Sequence, residues 1–242
     1  MAGAVGLGLA LVLMTSAQSL AAPLSLTGAV NQALRGPGMG LTIAVAFIVL
    51  GGGLFLLLTS FTRIVVVLSF VRTAVGVPTA PPSMVVVALA LVLTAVTMSP
   101  TLSELNRVAL SPYAAGHLSL TAAIAQASGP MRRFLLAGTT QQNLGILYRA
   151  THLAAPKSAA AIPFMTLAAA FAVSQLTLAF QMALLVYLPF LIIDLVVASI
   201  LMSLGMIMVP PTVVSLPLKL LLFVAVNGWG LVVGSLLAAG AR

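Results

Sequence analysis

Residues 162–208 read IPFMTLAAAFAVSQLTLAFQMALLVYLPFLIIDLVVASILMSLGMIM, and this stretch decides the fold. It is almost continuously apolar, and only two glutamines and Asp194 interrupt it seriously. A helix that is apolar on all sides is buried either in lipid or in protein. Because no polar turn divides the stretch, we predict one long apolar segment over 162–205, kinked at Pro189.

The composition of the whole chain points to the same environment. Of the 242 residues, 62% are hydrophobic and 5% are charged, and the mean hydropathy is +1.25. Soluble domains carry about 25% charged residues, so an ordinary cytosolic enzyme is excluded. There are ten Lys and Arg residues against two acids, and the cations are scattered through the sequence without forming a basic stripe. This pattern favours an anionic membrane surface over nucleic acid as the counter-charge.

Residues that could catalyse a reaction or bind a metal are scarce in this sequence. Cysteine is absent, and the two histidines, His117 and His152, have no acid beside them. A metal site, a nucleophile paired with a base, or a phosphate-binding loop would need residues that are missing here. We therefore predict no catalytic residues, no metal and no cofactor.

Outward from the long segment, the sequence predicts an all-α integral membrane protein with about four long apolar helical segments and a small helical periplasmic block. Residues 1–21 are typical of a cleaved signal peptide, because an apolar stretch precedes small residues; a short uncleaved anchor is the alternative. The other predicted segments are a lead over 22–40, apolar helices over 41–72 and 84–99, the polar block over 100–161, a Met/Pro loop over 206–212 and a last apolar helix over 213–239.

The block over 100–161 is the one water-compatible part of the sequence. It holds five of the ten cations, Glu104 and both histidines. Gly129-Pro130 predicts a break between two of its helices. Arg132-Arg133 has two interpretations, a site for lipid phosphate or an acidic partner, and a solvated helix face.

Asp194 and Lys219 are candidates for a buried ion pair. An ionisable residue in an apolar run costs several kcal/mol if it stays unpaired, so it needs a partner. A turn near 205–212 would bring Asp194 and Lys219 close in height on two antiparallel helices, and a tighter turn at Pro210-Pro211 would favour pairing between copies. An assembly ion pair and a proton relay are both open, and the pair is favoured because a relay needs several polar groups in line.

Met206 and Met208 stand at the break before Pro210 and Pro211. Methionine has a flexible apolar side chain that repacks against varied partners, so such residues from several copies can close around a passing chain as a gasket. Filling a gap at a helix end is the simpler alternative.

Glycines mark two further candidate packing sites. Gly51, Gly52 and Gly53 lie inside the first apolar helix, where they indicate either close helix packing or flexibility. Trp229 between Gly228 and Gly230 indicates either an interfacial anchor or a tight helix crossing.

Several motifs over residues 41–238 occur in a characteristic order. They are TSFTRIVVVLSFVR at 59–72, TAPP at 79–82, MSP at 98–100, PFLIIDLVVAS at 189–199, GM at 205–206 with PP at 210–211, and LPLKL at 216–220 with GW at 228–229. In this order they resemble the FliP family of flagellar type III protein export-gate subunits, which is related to the injectisome SctR family.

The resemblance implies a core channel-forming subunit that passes unfolded flagellar proteins across the bacterial inner membrane and catalyses no bond chemistry. Its implied partners are other copies of itself, two smaller export-gate membrane proteins, a large cytoplasmic gate protein, the unfolded substrates and membrane lipid. Much of the assembly would lie on the periplasmic side of the flagellar basal body. In the family a methionine-rich loop seals the pore, which assigns that role to Met206 and Met208.

The sequence departs from the family pattern at four positions. Ile207 replaces a third methionine, Gln175 and Thr177 stand where an acid and a lysine are usual, and Asn227 replaces an aspartate. We therefore expect altered polar contacts between subunits. The signal peptide favours the flagellar branch, and the alternative function is a proton-coupled secondary transporter using Asp194.

Overall fold

The computed structural model describes residue 53 and residues 56–152, 156 and 158–240. Apart from Gly53, these residues belong to one unit, Leu54–Arg242. The signal peptide predicted over 1–21, the lead over 22–40, Gly51 and Gly52 lie outside the described residues.

Every regular element in the described part of the chain is a helix, which confirms the all-α prediction there. The helices are α1 Phe61–Ala74, α2 Ser83–Leu105, α3 Ser111–Ala114, α4 Leu120–Ala137, α5 Gln141–Ala150, α6 Phe164–Ser203, α7 Pro211–Ala225 and α8 Gly228–Gly240. A π-helical turn, Asn106–Leu110, joins α2 to α3, and a 3-10 turn, Ala159–Ala161, precedes α6.

Two helical stretches among these residues are long and apolar enough to cross a membrane. They are Ser83–Ala114, which includes α2 and α3, and α6 with 40 residues. Helices α7 and α8 together pass the same test as a broken span with a 60° bend, which raises the number to three. The sequence predicts about four apolar segments, and the first of them, over 41–72, lies partly outside the described residues.

The first hydrophobic core forms where α1 lies against α6 and α2. Helix α1 buries Ile64, Val67, Leu68 and Val71, whose spacing of three and four residues puts them on one face. The same cluster takes in Phe190 of α6, Phe223 of α7 and Leu236 of α8. This core gathers α1, α2, α7 and α8 around the middle of α6.

A second core attaches the middle block to the first half of α6. Leu135 of α4 and Leu144 and Tyr148 of α5 pack with Leu167 and Phe171 of α6. A polar contact fixes the register of this packing, because Asn143 donates from Nδ2 to Ser174 Oγ at 3.1 Å, a bond that is buried. The block is therefore anchored to α6 by both apolar and polar contacts.

A turn interrupts the first apolar helix that the sequence predicts. The predicted helix over 41–72 is interrupted by a turn at residues 58–60, and α1 begins at Phe61. Thr59 and Thr62 both donate their hydroxyl groups to the carbonyl oxygen of Leu56, at 3.0 and 3.2 Å. Such side-chain bonds compete with the helical backbone bonds and favour a turn.

The predicted break at Gly129-Pro130 is absent, because α4 runs through Pro130 to Ala137. Proline removes one backbone donor, so α4 lacks one helical hydrogen bond at Pro130, which is buried. The chain breaks instead at Gly138, after which the Thr140 side chain accepts a hydrogen bond from Asn143 N and caps α5. Similarly, α2 continues beyond Pro100 to Leu105 instead of ending at 99.

The last apolar segment is two helices where the sequence predicts one over 213–239. Helix α7 ends at Ala225, and Asn227 adopts a φ of +51°, which asparagine tolerates better than most residues. Helix α8 then leaves at 60° to α7. A Cβ built on Gly228 would lie 2.2 Å from ring atoms of Phe223, so the bend needs a glycine at its first helical position.

We predict that Gly228→Ala destabilises the protein by about 1–3 kcal/mol, because the added methyl group overpacks the Phe223 ring. The matched control is Gly234→Ala in the same helix, where a Cβ meets nothing within 4 Å. That change should be neutral or slightly stabilising, since alanine is the better helix former. Thermal unfolding of the purified protein in detergent measures both. Equal melting temperatures for the two variants would contradict the close packing.

Candidate functional site

The centre of the candidate site is a polar cluster inside an otherwise apolar hairpin formed by α6 and α7. Lys219 donates from Nζ to Asp194 Oδ2 at 2.6 Å, and Ser215 donates from Oγ to Asp194 Oδ1 at 2.6 Å. Ser215 and Lys219 are four residues apart on α7, so both face Asp194. Each carboxylate oxygen therefore has its own donor.

Burial makes this cluster costly to break. The Lys219 side chain is 8% exposed and that of Asp194 is 31% exposed, while Ser215 is fully buried. A charge removed from water is stabilised only if its partner and hydrogen bonds are in place. Asp194 and Lys219 lie at similar distances along their helices from the turn. Asp194 is nine residues before Ser203, which ends α6, and Lys219 is eight residues after Pro211, which begins α7. The pair thus forms within one chain.

The turn between these helices exposes three apolar side chains. Gly205 has a φ of +75°, and the Met206 amide donates to the Leu201 carbonyl oxygen at 2.9 Å, which closes α6 with a Schellman motif. Met206, Ile207 and Met208 are 44%, 85% and 96% exposed. Pro210 is the N-cap of α7 and Pro211 its first residue, where a proline loses no helical hydrogen bond. The loop therefore projects apolar groups from a rigid base.

The other predicted packing residues take varied places. Pro189 lies inside α6, which runs through it unbroken, and it lines an apolar cavity of about 280 Å³ together with Phe223. Trp229 packs its ring edge-on against Phe223, with centroids 5.4 Å apart. Gly53 is helical, and a Cβ there would meet nothing within 4 Å among the described residues. Trp229 and Pro189 thus belong to the α6–α7–α8 junction.

Two residues with buried polar contacts were not among the site residues predicted from the sequence. Ser215 completes the Asp194 cluster, and its position one helical turn before Lys219 was the available signal. Arg63 is 3% exposed and donates from Nη1 to the carbonyl oxygen of Ala239 at 3.1 Å. It therefore contacts the C-terminal end of α8, where the helix dipole favours a cation.

These features define a class: a protein that is helical throughout its described residues, with helices long and apolar enough to cross a membrane, a charge-paired hairpin and a projecting apolar loop. Among the described residues, no three His, Cys, Asp or Glu side chains come together as a metal site would require. The FliP family model matches residues 42–236, and the chain belongs to the FliP family.

Curated relatives extend this match over most of the chain. The flagellar biosynthetic protein FliP of Bacillus subtilis (strain 168) is 48% identical over 185 residues, which is 76% of this chain and 84% of that protein. The protein of the same name from Pectobacterium carotovorum subsp. carotovorum is 44% identical over 235 residues, 95% of this chain and 90% of its own length. A third, from Caulobacter vibrioides, is 42% identical over 86% of this chain and 80% of that protein.

We predict that Asp194→Asn destabilises the protein by about 2–4 kcal/mol, because it leaves the Lys219 ammonium group buried without a counter-charge. The double variant Asp194→Asn with Lys219→Met should recover part of that loss, since it removes the unpaired charge. Chemical unfolding of the detergent-solubilised protein measures both changes.

The matched control is Glu104→Gln, which breaks the pair of Glu104 with Arg133. That pair is far more open to solvent, with side chains 35% and 62% exposed, so its loss should cost less than about 1 kcal/mol. If Asp194→Asn costs no more than Glu104→Gln, the hairpin does not depend on the Asp194 cluster.

Proposed function

We propose that this chain is a core channel-forming subunit of the flagellar type III protein export apparatus, which passes unfolded flagellar proteins across the inner membrane and is needed for flagellum assembly. Membership of the FliP family supports the flagellar part of this assignment. The channel-forming part rests on the surface of α6 and on the loop that follows it.

The length and exposure of α6 carry the proposal. Its 40 residues extend about 60 Å at 1.5 Å per residue, and the hydrocarbon core of a bilayer is about 30 Å thick. Only 17% of an 18-residue apolar stretch of α6 is buried within the chain. Lipid covers about half of such a length, so neighbouring protein must cover the remainder. This favours several copies packed side by side, with part of each raised out of the bilayer.

The exposed loop supplies the pore-closing element of the proposal. Met206, Ile207 and Met208 carry no charge and no strong hydrogen-bonding group, so a ring of them from several copies excludes water and ions. Methionine side chains also repack around an arriving polypeptide, and the β-branched Ile207 adds a stiffer apolar group. The Schellman turn and the Asp194 cluster hold the backbone of the loop while its side chains adapt.

The proposed location is the bacterial inner membrane at the flagellar basal body, with the block over 100–161 on the periplasmic side. We count the first apolar segment, over 41–72, as a fourth span beside the three candidate spans Ser83–Ala114, α6 and the bent pair of α7 and α8. The partners we propose are other copies of this chain, two smaller export-gate membrane proteins, the large cytoplasmic gate protein, membrane lipid and unfolded flagellar substrates. We propose no enzymatic activity and no nucleic-acid partner.

The alternative, a proton-coupled transporter using Asp194, has weaker support. Both oxygens of Asp194 accept bonds from groups of the same chain, and its partner Lys219 is held in place by burial. A proton relay needs further polar groups in line. The cluster supports a structural role better than a carrier cycle.

Co-purification tests the assembly directly. Native mass spectrometry after co-expression with the two small membrane proteins should give one large complex with several copies of this chain. A monomer without either partner would contradict the channel proposal.

We predict that the double variant Met206→Ala with Met208→Ala still assembles but leaks ions, because two bulky side chains per copy are lost from the pore. The control is Met84→Ala with Met165→Ala, which removes two methionines that are 85% and 71% exposed elsewhere. A membrane-potential dye in cells measures the leak. Equal polarisation in the two variants would contradict the gasket.

A further inference from the structure

An apolar groove lies where the end of α2, the following π-helical turn, α4 and the start of α6 meet, and it shares no residue with the Asp194 cluster or the 206–208 loop. Its volume is about 520 Å³, which falls within the range of small-molecule sites. Its walls include Leu105, Leu110, Ile124, Met131 and Phe164. Leu110 and Ile124 are 60% and 63% exposed, so none of the described residues covers the groove.

The walls of the groove suit an apolar ligand. Among the described wall residues, Ser128 alone has a polar side chain, and its hydroxyl group donates to the carbonyl oxygen of Ala125 at 2.6 Å. The π-helical turn Asn106–Leu110 contributes two apolar wall residues, Ala109 and Leu110. Such turns are rare and often occur at functional sites. A hydrocarbon chain therefore fits the groove better than a polar molecule does.

The groove lies at the ends of two candidate membrane spans. Leu105 and Leu110 are in the last ten residues of Ser83–Ala114, and Phe164 is the first residue of α6. At 1.5 Å per residue, the 32 residues of Ser83–Ala114 extend about 48 Å, which exceeds the hydrocarbon thickness of about 30 Å. In the membrane location proposed above, the groove therefore lies close to the level where acyl chains meet headgroups.

Arg132 is held beside this groove. Its Nη1 atom donates to the carbonyl oxygens of Ile162 at 2.7 Å and Ala159 at 3.4 Å. Arg132 follows the wall residue Met131, and Ile162 lies two residues before the wall residue Phe164. The residue is partly exposed, and its Nε and Nη2 atoms make no hydrogen bond to the described residues. These N–H groups are available to an anion beside the groove.

The chain itself has no free acid to neutralise the cations near the groove. Glu104 and Asp194 are its two acids, and both are paired, with Arg133 and Lys219. Arg107, in the π-helical turn, is exposed and is a second cation of this region. A second copy of the chain would bring further cations and no free acid, so the charges favour an anion of another kind.

We propose that the groove binds an acyl chain of an anionic phospholipid, whose phosphate group contacts Arg132 and Arg107. The site offers what such a lipid needs, an apolar wall for the chain and cations beside it for the headgroup. It also gives the two adjacent arginines different roles, because Arg133 is paired with Glu104 while Arg132 is available to phosphate. This assignment rests on the proposed membrane location and is independent of the pore.

Lipid photocrosslinking tests the site on the full chain, co-expressed with the two small membrane proteins and transferred to nanodiscs. The probes are phosphatidylglycerol and phosphatidylcholine that carry the same diazirine-bearing acyl chain at the same mole fraction. Peptide mass spectrometry measures the labelling of residues 124–131 and of Phe164. We expect phosphatidylglycerol to label them at least fivefold more than phosphatidylcholine does. Equal labelling by the two lipids, or no labelling by either, would overturn the proposal.

The variant Arg132→Gln removes the cation that is held beside the groove. It should lower the labelling ratio about fivefold, the factor that corresponds to about 1 kcal/mol for one arginine near an anionic surface. The matched control is Arg149→Gln, which removes an exposed arginine of α5, a helix that does not line the groove. The control should change the ratio less than twofold. An unchanged ratio in Arg132→Gln, or an equal fall in the control, would contradict a local site.

A second pair of variants decides the matter if circular dichroism shows that Arg132→Gln is not folded. Ile124→Glu places a carboxylate on an exposed wall residue, and Ile146→Glu is the control at a position of α5 that is 45% exposed. Labelling of Phe164 by phosphatidylglycerol should fall at least fivefold in the first variant and stay within twofold in the second. Retained labelling in folded Ile124→Glu would overturn the lipid site.

Two further measurements on the same samples identify the occupant and separate the two proposals. Native mass spectrometry counts the subunits: loss of lipid selectivity in an intact multi-copy complex contradicts only the lipid site, and a selective monomer contradicts only the channel. Cryo-electron microscopy should show elongated density in the groove that ends beside Arg132. A polypeptide segment there, from a second copy or from an acidic partner, would overturn the assignment.

Discussion

The ion pair between Lys219 and Asp194 is the interaction on which the rest of this structure depends. It joins two helices that have few other polar groups facing each other. It can form only when Asp194 and Lys219 lie at the same level along α6 and α7. Because Ser215 takes the second carboxylate oxygen, a slip of one helical turn would leave a buried charge unsatisfied. Apolar packing alone tolerates such slips, so the cluster fixes the register of α6 against α7 and, through it, the short turn between them.

The short turn between α6 and α7 forms an exposed apolar surface. Gly205 reverses the chain in a left-handed conformation, and Pro210-Pro211 restarts it as α7, so the residues between them have no helix to join. Met206, Ile207 and Met208 are consequently exposed, the last two almost completely. A flexible set of side chains on a fixed backbone suits the proposed seal, which must open for a polypeptide and close again without one.

Sequence patterns predicted the features that rest on composition and spacing. The long apolar segment and the Met/Pro loop are contiguous stretches, so they can be predicted without knowing which other residues they contact. The start of α1 and the bend before α8 were harder to predict, because each depends on a local hydrogen bond or backbone conformation that the residue pattern permits but does not require. Thr59 and Thr62 turn the chain by bonding one carbonyl, and Asn227 bends it by a left-handed conformation that many asparagines do not adopt. The burial of Arg63 was also hidden, since only the fold brings α8 to it.

The absence of cysteine from the sequence gives a direct test of the central claim, that the hairpin presents its loop to the same loop of neighbouring copies. Ile207→Cys introduces a single thiol at the tip, and oxidation of the co-expressed complex reports whether two tips meet. The account predicts disulfide-linked dimers that are lost when Asp194→Asn is added, because the loop is then no longer held. An Ile207→Cys protein that assembles with its partners but gives no dimers, or dimers unaffected by Asp194→Asn, would contradict it.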